Sequence, residues 1–96
     1  MNEHFSLSNT TSSDEREEAL VEIARVLEGT AREALIEGDK NFAAFSLNMA
    51  EAIRSNADEI ARNNVEGALQ ILEQASLMVS HFNKANPHRI VSYTIN

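Results

Sequence analysis

The fold of this chain is decided between residues 34 and 45, which read ALIEGDKNFAAF. The first of these residues continue an apolar pattern with steps of three and four, the period of a helix with one buried side. Gly38 then ends that helix, because glycine adopts the left-handed cap conformation at little cost. A second helix begins at about Asp39 to Asn41. Since the connection is only a few residues long, we predict an antiparallel helical hairpin.

The first helix is predicted to begin near Ser12 or Ser13. Ser12 and Glu15 have the spacing of a capping box, in which a hydroxyl and a carboxylate satisfy backbone N–H groups at a helix start. We expect Val26 and Ile36 to widen the buried side of this helix. The rest of that side follows the helical period: Leu20, Ile23, Leu27, Ala31 and Ala34.

The second helix is predicted to run to about Arg62, and its many alanines keep it slim enough for close packing. We expect ion pairs between residues four apart, Glu28 with Arg32 and Asp58 with Arg62. The apolar line of this helix joins its largest side chains at helical spacing: Phe42, Phe45, Met49, Ile53, Ala57 and Ile60.

Asn63 and Asn64 lie where the second helix either ends or continues. Asn63 followed by Glu66 indicates a cap that starts a third helix, whose apolar line would be Val65, Leu69, Leu72, Val79 and Phe82. The alternative is one helix from 41 to 84, about 66 Å long, which aligns a different line: Ile60, Ala68, Ile71, Ala75, Met78 and Phe82. That length is large for a small globular chain, so we favour the break.

The two ends differ in composition from the middle. Residues 1–12 are rich in Ser, Thr and Asn and are predicted to be a flexible leader. Pro87 stops the helix before it, and residues 86–96 read as an extended tail with Val91, Tyr93 and Ile95 on one side. The tail would be frayed, lie in a groove on the helices, or pair with another molecule. We therefore predict an all-α domain at 13–85 between a leader and a tail.

Charge and composition exclude several classes of function. The formal net charge is −7, from fifteen acidic and eight basic residues. Binding to nucleic acid depends on Lys and Arg that neutralise phosphates, so we expect no direct binding to DNA or RNA. The chain contains no cysteine, no signal peptide is recognisable, and no run of apolar residues is long enough to cross a bilayer. We expect a cytoplasmic protein that is not inserted in a membrane.

The sequence contains no recognisable catalytic or metal-binding motif. Its histidines, at positions 4, 81 and 88, form no His-x-x-x-His or Glu-x-x-His pair. No serine lies in a Gly-x-Ser-x-Gly turn, and no glycine-rich phosphate loop is present. We expect neither an enzyme nor a bound cofactor or metal.

The helices carry more apolar surface than one slender chain can bury. We therefore expect a homodimer and an adhesive helical side for a protein partner. The alternative is that these side chains close the core of the monomer. The candidate partner-binding residues are bulky or adaptable groups of the kind enriched at interface centres: Phe42, Phe45, Met49, Met78, Phe82 and Tyr93.

Residues 32–39, REALIEGD, lead into residues 42–53, FAAFSLNMAEAI, where an aromatic followed by alanines opens the second helix. Over residues 17–61 this hairpin resembles a family of small proteobacterial helical proteins of unknown function. In size and style it is similar to quorum-sensing anti-activators, which bind and disable a transcription activator. The resemblance implies a protein partner and assigns no role to any single residue.

Three functions fit these observations. The first is a small non-enzymatic regulator that sequesters or inhibits a protein partner. The second is an acidic mimic of nucleic acid, in which the nine acidic residues from Asp14 to Asp39 occupy the DNA-binding groove of another protein and bind more weakly as salt rises. The third is a structural subunit of a larger assembly.

Overall fold

The computed structural model describes residues 12–85, and this part of the chain is helical apart from its cap residues. The three helices are α1 (Ser13–Glu37), α2 (Lys40–Asn63) and α3 (Val65–Ala85). The predicted all-α fold, a hairpin followed by a third helix, is confirmed. The rest of the predicted leader and the predicted C-terminal tail lie outside the described residues.

The two ends of α1 are capped as the sequence predicts, and a further cap starts α2. Ser12 N–H donates to the Glu15 carboxylate at 3.0 Å, and Glu15 N–H donates to the Ser12 hydroxyl at 3.2 Å. Gly38 ends α1 with a φ of 89°, in the left-handed region that glycine tolerates. The Asp39 carboxylate then accepts from Phe42 N–H at 3.1 Å and starts α2. The turn of the hairpin is therefore encoded locally.

Packing of α1 against α2 depends on small side chains. The fully buried residues of α1 include Leu20, Ile23 and Leu27. The predicted buried line of α2 was wrong at Phe45. That residue is 58% exposed, and its neighbour Ser46 is buried instead. Small side chains let the two helix backbones approach closely, so the packed line of α2 runs through them: Ala43, Ser46, Ala50, Ile53, Ala57 and Ala61.

Two polar contacts tie α1 to α2 and fix their antiparallel register. The Arg54 guanidinium donates two hydrogen bonds to the Glu28 carboxylate, at 2.9 and 3.2 Å. The predicted pairing of Glu28 with Arg32 is therefore wrong, because Arg54 offers a bidentate partner across the helices. Near the other end, Arg16 is only 7% exposed and its Nε donates to the Ala61 carbonyl at 2.9 Å. A cation at the end of α2 suits the helix dipole.

Asn64 alone connects α2 to α3. Its N–H donates to the Ile60 carbonyl at 3.0 Å, and its own carbonyl accepts from Ala68 N–H at 2.9 Å. Its side-chain oxygen accepts from Gly67 N–H at 2.9 Å, so Asn64 is the residue that caps α3. The predicted cap, Asn63, was wrong by one residue. The expected break between the helices is confirmed. The change of direction comes from the backbone of Asn64, with a φ of −146° and a ψ of 78°.

The third helix returns along the hairpin, since Phe82 near its end stacks on Phe42 near the start of α2. Val65 and Leu69, predicted to be on the apolar line of α3, are only half-buried. The buried line combines Leu72 and Phe82, which were predicted for a separate third helix, with Ala68 and Ala75, which were expected for a continuous helix. In this arrangement α3 contacts α1 more extensively than it contacts α2.

Ile36 does not widen the buried side of α1, as was predicted, because it is 75% exposed. It follows the buried Ala34 by two residues, a rotation of about 200° around the helix. Its side chain therefore lies opposite the packed side. Val26, by contrast, is partly buried against the core.

Candidate functional site

The candidate site is the surface along the seam between α2 and α3. Half-buried apolar side chains line this seam over its whole length, from α2 and from α3. They pack against the buried core on one side and are open to solvent on the other. We call this surface the α2–α3 face, and its seam residues are Phe42, Met49, Ile60, Ile71 and Met78.

The stacked pair of Phe42 and Phe82 closes one end of the α2–α3 face. The two ring centroids are 4.9 Å apart and the ring planes differ by 8°. Phe82 is 3% exposed and packs against Ala31, Ala34 and Ala43. It therefore serves as a core residue of this chain, and only Phe42 of the pair reaches the surface.

Phe45 is the main exposed apolar group of the α2–α3 face. It follows Phe42 by three residues and precedes Met49 by four, so all three lie on one side of α2. Antiparallel pairing of α2 with α3 through the stacked rings places Met78, one turn before Phe82, on the facing side of the seam. Of the six candidate binding residues, Phe42, Met49 and Met78 belong to the seam, Phe45 is exposed beside it and Phe82 lies in the core. The sixth, Tyr93, lies outside the described residues.

Neutral polar side chains flank the seam. On the Phe45 side of α2 the exposed residues at helical spacing are Asn41, Asn48, Ala52 and Asn56. On the Met78 side of α3 they are Gln74 and His81. The acidic group among the described residues on these two sides is Glu59, and its carboxylate lies at the end of the face nearest Asn64. The α2–α3 face is therefore poor in charge on a strongly acidic molecule.

The other large apolar side chains that are exposed in the described part of the chain are Leu35, Ile36, Leu47 and Leu77, and they lie among charged groups. Leu35 follows Glu28 by seven residues, and Ile36 follows Arg32 by four. Leu47 precedes Arg54 by seven residues, so it lies on the side of α2 that carries the Arg54–Glu28 ion pair. Leu77 is exposed on the outer side of α3, four residues after Glu73 and seven before Lys84. Scattered apolar residues of this kind are ordinary on soluble proteins.

Acidic groups concentrate on the N-terminal half of α1. A shallow depression there is lined mainly by carboxylates, and its Arg25 is paired with Glu22 at 2.9 Å. Nearby, at the end of α2, the hydrogen bond from Arg62 to Asp58, 2.7 Å long, raises the pKa of the Arg62 guanidinium above its usual value. The predicted ion pair between Asp58 and Arg62 is therefore confirmed. The carboxylates of the depression are Asp14, Glu15, Glu17, Glu18 and Glu22.

Within residues 12–85, no three His, Asp or Glu side chains are grouped in a way that would hold a metal ion. No helix in the described part of the chain has the length and apolar character needed to cross a membrane. Comparison of the chain with family models, curated proteins and solved structures found no match in any of the three. The resemblance to small proteobacterial hairpin proteins stays a prediction.

Sequence reasoning missed two parts of the α2–α3 face. Ile60 and Ile71 complete the apolar seam at the Asn64 end, and the neutral amides form its flanks. The signal for the flanks was present as asparagines at steps of seven and eight on α2, Asn41, Asn48 and Asn56, where an ordinary solvated helix side would carry charge.

Proposed function

We propose that this protein is a small non-enzymatic regulator that binds another protein through the α2–α3 face and thereby sequesters or inhibits it. One observation carries the proposal: the molecule concentrates exposed or half-exposed phenylalanine, methionine and isoleucine on a face with few charges. Interface centres are depleted of charged residues and enriched in aromatic residues and methionine.

The shape and chemistry of the α2–α3 face favour the apolar side of a helix from the partner. Two neighbouring antiparallel helices form a groove between them, and a third helix can lie in such a groove with its apolar side inward. Met49 and Met78 adapt to irregular shapes because their side chains are unbranched. Asn48, Asn56 and Gln74 on the flanks each offer hydrogen-bond donors and acceptors. The expected partner surface is therefore apolar at its centre and neutral or weakly polar at its edges.

We place this activity in the cytoplasm as part of the proposal. The chain contains no cysteine, which suits a reducing compartment where disulfides play no structural role.

The test compares two glutamate variants at matched positions of α2. Phe45→Glu places a charge on the α2–α3 face, and Leu47→Glu places the same charge two residues away, on the side of the Arg54–Glu28 pair. The two side chains are similarly exposed, at 58% and 52%, so both variants should fold. We expect the wild-type protein and Leu47→Glu to capture the same partner from the native lysate, and Phe45→Glu to lose it.

Binding of the purified partner then gives the magnitude. Burying an unpaired carboxylate in an apolar interface costs several kcal/mol, so Phe45→Glu should weaken the affinity at least about 100-fold. Equal affinities for the two variants, or loss of the partner in both, would contradict the proposal.

The acidic depression on α1 supports a second candidate function, mimicry of nucleic acid. Its five carboxylates lie within the first three turns of α1, and four of them are exposed. Binding through them would weaken steeply with rising salt, whereas binding through the α2–α3 face depends little on salt. Measuring the affinity for the captured partner at low and high salt separates the two candidates.

A further inference from the structure

We infer that, in the free protein, the α2–α3 face is covered by the same face of a second copy of this chain, in a two-fold symmetric homodimer. This inference rests on the proposed function of the face, and it names the occupant that the regulatory partner would have to displace.

The chemistry of the α2–α3 face is complementary to itself. In a two-fold interface a residue i of one copy contacts a residue j of the other and j contacts i, so the patch as a whole must be complementary to itself. Apolar side chains such as Phe45 and Met49 meet this requirement. The amides of Asn48, Asn56 and Gln74 meet it too, because an amide is both a donor and an acceptor and can bind another amide. A patch with unpaired carboxylates would repel its copy.

Net charge limits which faces of this molecule can self-associate. Two copies with a formal charge of −7 each repel one another unless they meet where charge is sparse. The acidic half of α1 cannot serve for that reason. The exposed Leu35, Ile36, Leu47 and Leu77 lie among charged groups as well. Of the surfaces in residues 12–85, the α2–α3 face combines exposed apolar groups with little charge.

The size of the α2–α3 face matches what a specific dimer requires. From Asn41 to Asn63 it is about 33 Å long at the helical rise, and two adjacent helices give it a width of about 20 Å. The projected area of about 650 Å² approaches the roughly 800 Å² that each partner contributes to a standard interface. A contact of this size that buries Phe45, Met49 and Met78 is compatible with a micromolar or tighter dimer.

A dimer formed in this way would control access to the face. The regulatory partner and the second copy compete for the same side chains, so partner binding proceeds by exchange of one for the other. A high concentration of the free protein then opposes partner binding. Because the competing surfaces share their chemistry, a substitution that weakens the dimer through Phe45 weakens the partner complex as well.

The experiment is sedimentation equilibrium of the full chain at several concentrations up to about 100 µM, a range that covers micromolar dissociation constants. The proteins compared are wild type, Phe45→Glu, Gln74→Glu and Leu47→Glu. We expect the wild type and Leu47→Glu to have the mass of a dimer, and Phe45→Glu to have the mass of a monomer. Gln74→Glu replaces a neutral amide on α3 by a charge and should weaken the dimer at least about tenfold.

Circular dichroism of each variant checks that it is folded. If Phe45→Glu fails to fold, Gln74→Glu decides, because it changes an exposed side chain to one of nearly the same shape. A wild-type monomer at the highest concentration overturns the inference. So does a dimer that survives both face variants, a dimer that Leu47→Glu alone disrupts, or growth into assemblies larger than two.

Failure of the dimer and failure of the proposed function give different results. A monomeric wild type that still captures a partner in a Phe45-dependent way removes the dimer and leaves the function. A Phe45-dependent dimer that captures no partner removes the proposed function and leaves the dimer.

Discussion

The contact between α1 and α2 and the contact between α2 and α3 are made from side chains of different size. Toward α1, α2 buries alanines, a serine and Ile53, and the two helices lie close together over their whole length. Toward α3, the same helix presents Phe42, Met49 and Ile60, which are only half-buried. Small side chains allow close approach and complete burial, whereas large ones hold the third helix farther away and stay partly accessible. We call the fully buried contact of α1 with α2 the sealed contact, and the partly accessible contact of α2 with α3 the open contact.

The largest expected effect comes from removing the ring of Phe82, the buried aromatic side chain of the open contact. Phe82→Ala should lower the free energy of unfolding by about 3–4 kcal/mol, since it deletes a buried aromatic ring that stacks on Phe42 and packs against three alanines. Urea denaturation followed by circular dichroism measures this change. Phe45→Ala is the matched control and should change the stability of the monomer, measured at high dilution, by less than about 0.5 kcal/mol, because that ring is mostly exposed in a single copy. Similar losses in both variants would mean that Phe82 does not fasten α3.

The second test compares an enlarged side chain in the contact of α1 with α2 and a volume-conserving change on the side of α2 that faces α3. Ala50→Leu enlarges a fully buried residue at the close approach of α1 and α2 and should cost about 1–3 kcal/mol. Met49→Leu, its neighbour on the open side, nearly conserves volume and should cost less than about 1 kcal/mol. Thermal unfolding of both proteins measures the difference. Tolerance of leucine at position 50 would show that the sealed contact has more space than its alanines imply.

The smallest expected effect is a gain in stability. The Ser46 hydroxyl is fully buried and has no hydrogen-bond partner among residues 12–85, which costs about 1–3 kcal/mol for a hydroxyl in an apolar setting. Ser46→Ala should therefore stabilise the protein by about 1 kcal/mol. Ser55→Ala, at an exposed position of the same helix, measures the gain from helix propensity alone. Stabilisation of Ser46→Ala no greater than that of Ser55→Ala would contradict this account.

Local signals along the chain predicted most of the fold. The capping box at Ser12 and the left-handed Gly38 are short-range features, each of which depends on residues within about one helical turn. The break near Asn64 was predicted for a global reason, the excessive length of a continuous helix. The cap was misplaced by one residue because Asn63 and Asn64 offer the same side chain, and only the backbone hydrogen bonds distinguish them.

The rotation of α2 could not be predicted from apolar size alone. A line drawn through the largest side chains placed Phe45 inside, but close contact with α1 selects the small residues Ala43, Ser46 and Ala50. This rotation turns Phe45 outward and creates the α2–α3 face. The candidate binding residues were chosen from the sequence by residue type, whereas the division of the five described ones into a core ring, a half-buried seam and an exposed group required the packed structure.

The single-residue connection at Asn64 makes α3 behave as a lever that pivots at one end. A swing of 10° about that pivot would move the tip of α3 by about 5 Å, since 21 residues span about 31 Å. Phe82 lies about 27 Å from the pivot and Leu72 only about 12 Å. If each contact allows the same displacement, the stacked ring of Phe82 restricts the angle of α3 more than twice as strongly as the contact at Leu72 does. The width of the groove between α2 and α3 is therefore governed from the end of the bundle farthest from the joint.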